Sequence, residues 1–166
     1  SPATLKSTRL TGEIMGTWGT GIFENDAAAD WVYALEESGA PAVDAAFAAT
    51  SAGAAGGYVD ADAGACALAA AEAVAAAHGA PSPTLSEEMK AAVEAHGVAI
   101  RSLQDIQRRA ILAVMSVVGQ APGGKTFGSE LVDLWGEDDV AEEDFQAFMS
   151  SLKDVTSRIK GTMEGA

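Results

Sequence analysis

Apolar residues recur at helical spacing along almost the whole chain, and runs that alternate apolar with polar are scarce. Asn25 or Asp26 can cap a first helix with Ala27, Trp31, Ala34 and Leu35 on its apolar face, and Gly39 ends it. Pro41 suits the first turn of a second helix carrying Val43, Phe47 and Thr50, before a small-residue break at 51–57. Asp60 then caps a long alanine-rich helix to His78, closed by Gly79 and followed by Pro81 and Pro83.

Thr84 and Glu87 have the spacing of a capping box. They open a helix with Leu85, Met89, Ala92, Val93 and His96 on one stripe, which Gly97 is expected to stop. Residues 99–118 read as one continuous core helix, with Leu103, Ile106, Ala110, Val114 and Val117 at spacings of three and four. Arg101, Gln104, Arg108 and Arg109 take its other face. Phe127, Leu131, Leu134 and Trp135 form a short helix after a glycine-rich loop. Asp139 begins a last helix with Phe145, Phe148, Met149, Leu152, Val155 and Ile159 inward. Acids crowd its start, and Lys153, Arg158 and Lys160 lie near its end, as the helix dipole favours. The pattern predicts an all-α, single-domain bundle of about six or seven helices, with no parallel sheet and helix over more than half the residues.

Residues 15–39 read M-G-T-W-G-T-G-I-F-E-N-D-A-A-A-D-W-V-Y-A-L-E-E-S-G, a cluster of aromatics and glycines in a chain otherwise rich in alanine. The segment resembles the opening of a family of small, mostly bacterial proteins known as domain of unknown function 4259. Its members begin close to M-G-T-W-G-T-G-P-F-x-N-D, and here Ile22 stands where proline is usual. The resemblance continues through residues 58–81 and the Leu134-Trp135 pair, covering 15–160. It implies a helical fold and no known activity. Trp18, Gly19, Gly21, Phe23, Asn25, Asp26 and Trp31 are the signature positions. Their aromatics suit a plug at one end of the bundle or the anchors of an interface, with Gly16, Gly19 and Gly21 allowing tight turns.

The net charge is −14, which leaves no basic surface for nucleic acid or for anionic membranes. It suits solubility or docking to a protein partner with a basic surface. No apolar run approaches the length of a membrane span, so any membrane association is expected to be peripheral, through a larger complex. Residues 1–14 reverse the charge pattern, with Lys6, Arg9, several hydroxyls and no acid before Glu13. Such an arm has the composition of a processed organelle presequence or of a cloning scar. The first reading makes the chain a plastid subunit bridging parts of a photosynthetic complex; a bacterial source makes it cytoplasmic. The division is then an arm over 1–14, a helical domain over 15–160 and a tail over 161–166.

Chemistry-bearing patterns are few. Residues 119–126 read G-Q-A-P-G-G-K-T, a literal phosphate-binding loop, in which backbone N–H groups wrap phosphates and the lysine reaches the terminal ones. That motif needs a preceding strand of a parallel sheet, and the upstream residues are helical, so a plain inter-helix loop is expected. The carboxylates at Asp60/Asp62, at Glu87/Glu88 and over 137–144 fall at helix starts, where acids favour the dipole. His78 and His96 each sit at a predicted helix end, where imidazole meets the last carbonyls; a metal or pigment ligand is the alternative. Cys66, the sole cysteine, reads as a small core residue, with no histidine at a spacing that would activate it. No catalytic residue, metal ligand or cofactor is assigned. The expected function is a non-catalytic interaction or assembly module, an accessory or linker subunit. The alternative is a small hydrolase or nucleotide-binding enzyme using the loop at 119–126.

Overall fold

The computed structural model describes residues 26–164, and 74% of them are helical. Seven helices are present among these residues: α1 (Asp26–Ser38), α2 (Ala40–Ala55), α3 (Ala61–Ala77), α4 (Glu87–Arg101), α5 (Ile106–Val118), α6 (Glu130–Trp135) and α7 (Glu142–Glu164). The fold is all-α in its mass. One correction applies: β1 (Tyr58–Val59) and β2 (Gly128–Ser129) form a two-residue parallel pair, Tyr58 opposite Gly128 and Val59 opposite Ser129. Strands this short carry no alternation for a sequence reading to detect.

Helix α3 is the hub, with α1, α2, α4, α5, α6 and α7 packed around it. Its composition explains why. Ala67, Ala69, Ala70, Ala71, Ala73 and Ala75 are all fully buried, and side chains this small let helices approach on every side. Asp60 caps α3 as expected, its carboxylate accepting the Ala63 N–H at 2.8 Å. The other end is held by side chains from elsewhere. Arg101 donates to the Ala77 carbonyl at 2.8 Å, and His78 Nδ1 lies 2.8 Å from the Val74 carbonyl. These contacts satisfy carbonyls that a helix end leaves without partners.

Trp31 closes the α1–α2 hairpin from inside. It is 6% exposed, and its indole N–H donates to the Ala42 carbonyl at 3.2 Å. Of the two readings for the aromatic signature, Trp31 fits the core plug. The buried face of α1 is Ala28, Trp31, Val32 and Leu35, with Ala27 and Ala34 only half-buried at its edges. The signature positions Trp18, Gly19, Gly21, Phe23 and Asn25 lie outside the described residues.

Five helix boundaries differ from expectation. α2 runs on through the small residues at 51–55 and ends only at Gly56. Ser86, not Thr84, caps α4 by accepting the Met89 N–H at 3.1 Å. α4 passes through Gly97, over which the guanidinium of Arg101 lies; a Cβ there would sit 3.3 Å from Arg101 Nη1. The continuous helix expected over 99–118 breaks after Arg101, where Asp105 takes a left-handed conformation (φ 53°), which aspartate tolerates better than most residues. α7 begins at Glu142 rather than Asp139, after a turn whose Val140 N–H bonds the Glu137 carbonyl at 3.0 Å.

One buried charge was not anticipated. Glu72 sits among the alanines of α3 with 3% exposure. Arg158 of α7, expected to serve the helix dipole, turns inward instead. It donates to both Glu72 oxygens at 2.9 and 2.6 Å and to the Ala80 carbonyl at 3.0 Å, while its Nε donates to Asp154 at 2.8 Å. Burial pushes the Glu72 carboxyl up, against the hydrogen bonds and charge of Arg158 that pull it down.

Candidate functional site

The loop at 119–126 does not form a phosphate cradle. Helix α5, not a strand, leads into it, and Gly119 ends that helix in the left-handed region (φ 93°). Gln120 then bridges Thr126, and the Ala121 N–H bonds the Lys125 carbonyl at 2.8 Å around a turn through Gly123 and Gly124. The Phe127 N–H returns to the Gly119 carbonyl at 3.0 Å. These donors are therefore spent on the loop's own carbonyls rather than turned toward an anion. Lys125 is exposed, and α6 starts only after β2 intervenes.

The histidines do not converge either. His78 caps α3, as expected. His96 lies inside α4 rather than at its end, and its Nε2 is 3.3 Å from the Glu36 carbonyl of α1. It packs on Gly39, whose φ of 72° and position 2.9 Å from His96 Nδ1, measured to an ideal Cβ, leave no room for a side chain. Among the described residues no group of three His, Cys, Asp or Glu side chains could hold a metal ion. Cys66 is half-buried on α3, its Sγ 3.8 Å from the Ala27 carbonyl. Burial, then the charges of Asp62, Asp30 and Asp60, push its thiol up, away from a reactive thiolate.

Some of the acids do converge: Asp60, Glu130 and Asp133 all act on Tyr58, at the end of the bundle where β1, β2 and α6 meet. The ring of Tyr58 lies on the backbone of β2, so close that a Cβ on Gly128 would sit 2.6 Å from Tyr58 Cδ1. Gly128 is thus what allows a half-exposed aromatic to lie there. Loss of water contact, then the charges of Glu130, Asp133 and Asp60, push the Tyr58 phenol up. Glu130 is partly engaged, accepting the Ala61 N–H at 2.7 Å. Ser129 caps α6 by accepting from Val132 N–H.

From α6 the chain hooks through Gly136 to Ala141 into α7. A cleft of about 720 Å³ lies along this hook, lined by Val132, Asp133, Gly136, Glu137, Asp138, Asp139 and Phe145. A second concavity of about 540 Å³ shares Gly136, Glu137, Asp138 and Phe145 and adds Trp135 and Val140. Beneath it Trp135 stacks on Phe148, centroids 5.1 Å apart and planes 13° from parallel, which fixes the start of α7 against α6. Asp133, Glu137, Asp138, Asp139, Glu142, Glu143 and Asp144 have no cationic partner among the described residues. The ion pairs found there engage Glu87, Asp44, Glu72 and Asp154 instead. As expected, Glu142, Glu143 and Asp144 occupy the first turn of α7, but Glu137, Asp138 and Asp139 precede it and face the cleft. Their sequence positions assigned these acids to the helix start; the aromatic lining from Phe145 needed the tertiary fold.

No helix among the described residues is long and apolar enough to cross a membrane. No curated protein and no solved structure shows significant similarity to the chain. Residues 16–147 match the family described as Domain of unknown function (DUF4259), a span that includes the signature and ends inside α7. The chain belongs to that family.

Proposed function

We propose that this chain is a non-catalytic helical interaction module, an accessory or linker subunit that docks on a basic surface of a protein partner through the hook at the α6–α7 corner. One observation carries the reading. Five carboxylates, Asp133, Glu137, Asp138, Asp139 and Glu142, line a concave surface with half-buried Val132 and Phe145 in its wall, and none has a cation of its own among the described residues. Like charges held together without counter-ions repel, and a partner that brings cations relieves that repulsion while excluding water from the aromatic wall. The lining offers carboxylates and apolar side chains, which suits recognition of a cationic surface.

The test compares two triple variants of equal net charge. Glu137→Gln with Asp138→Asn and Asp139→Asn empties the hook, whereas Glu36→Gln with Glu37→Gln and Glu94→Gln removes as many exposed acids from α1 and α4. Crosslinked purification from the native source should recover a basic partner with the wild type and the α1–α4 variant. The hook variant should lose it, and equal recovery with both variants would refute the proposal.

A further inference from the structure

We infer that α7 is a strap that opens from the bundle as a unit, with Arg158 and Glu72 as its clasp. Among the described residues α7 packs mainly onto α3, α5 and α6. Over its length only Phe148, Leu152, Val155 and Ile159 are buried, a single narrow stripe. The stripe closes one side of a core to which α1 to α5 contribute Leu35, Val43, Phe47, Leu68, Met89, Ile100 and Val114. The tether to α6 is the exposed hook, whose backbone bonds are local: Gly136 N–H to Val132 O and Val140 N–H to Glu137 O. Side-chain pairs within α7, Gln146 to Glu142 and Arg158 to Asp154, support its helix without help from the bundle.

Three polar or aromatic contacts hold the strap along its length. Phe148 stacks on Trp135 near the hinge, Arg158 reaches Glu72 and the Ala80 carbonyl, and Gln107 donates to Thr162 at 3.2 Å near the end. Of these the clasp is decisive. Glu72 is buried only because Arg158 supplies its counter-charge, and the two separate together when α7 lifts, returning both to water. Opening uncovers an alanine-walled groove on α3 with a carboxylate at its floor. Regions held by few buried apolar contacts open below the global unfolding limit.

The experiment is residue-resolved native-state hydrogen exchange on the full chain, wild type and two variants. Leu35 is fully buried in α1, remote in sequence from the strap, so Leu35→Ala destabilises the bundle in its closed and strap-open forms alike. It should lower protection of α3 amides by at least about tenfold and leave α7 amides unchanged, because strap opening does not pass through that site. Val32→Ala serves the same purpose should Leu35→Ala fail to fold. Arg158→Ala should lower protection of α7 amides by at least about tenfold. A parallel loss in α3 and α7 on Leu35→Ala would show that α7 opens only with the whole molecule and would overturn the strap. Unchanged α7 protection in Arg158→Ala would overturn the clasp.

Discussion

Replacing Trp31 with alanine is expected to destabilise the fold by about 3–5 kcal/mol, the range for removing a buried large aromatic from a packed core. The ring is 6% exposed between α1 and α2, and its N–H serves the Ala42 carbonyl, which a truncated side chain leaves without that donor. Trp31→Phe keeps most of the packing and loses the hydrogen bond, so it should fall between the two. Urea denaturation of the three proteins checks this ordering. Equal midpoints for wild type and Trp31→Ala would mean that the ring does not close the hairpin.

A comparable loss is expected from adding atoms. Ala70 is fully buried on α3, in the helix that all the others touch. Leucine there must push a neighbouring helix outward or adopt a strained rotamer. Overpacking of this kind costs about 1–3 kcal/mol, and more where the surroundings cannot move. A site enclosed by helices on several sides belongs at the upper end. Ala45→Leu, on the exposed face of α2, should stay within about 0.5 kcal/mol of wild type. If Ala70→Leu melted with the wild type, alanine-sized contact would not be what sets the helix spacing.

The helical fold was legible because its signals are local. Asp60 caps α3, Pro41 starts α2, and the spacing of Phe148, Leu152, Val155 and Ile159 marks the inward face of α7. What escaped depends on partners distant in sequence. Gly97 does not stop α4, and the guanidinium of Arg101 crosses it on the way to the end of α3. Asp105 breaks the expected long helix through a backbone conformation that no spacing rule encodes. Arg158 looked like a surface cation near a helix end, and only the position of Glu72 on α3 gives it an interior role. The acids of the hook were visible in the sequence, yet their grouping beside Phe145 arises only when α6 and α7 are stacked through Trp135 and Phe148. The phosphate-loop pattern follows a helix, as its sequence context indicated, and several of the loop's N–H groups bond the loop's own carbonyls.

The central claim, that the hook is the docking surface, is tested most directly by titrating the isotopically labelled chain with a short arginine- and lysine-rich peptide and following every amide by NMR. The account predicts saturable shifts centred on residues 133–145, weakening as salt is raised through about 0.1 M, where the screening length falls to about 10 Å. Shifts spread evenly over all the acidic faces, or centred on residues 119–126, would contradict it.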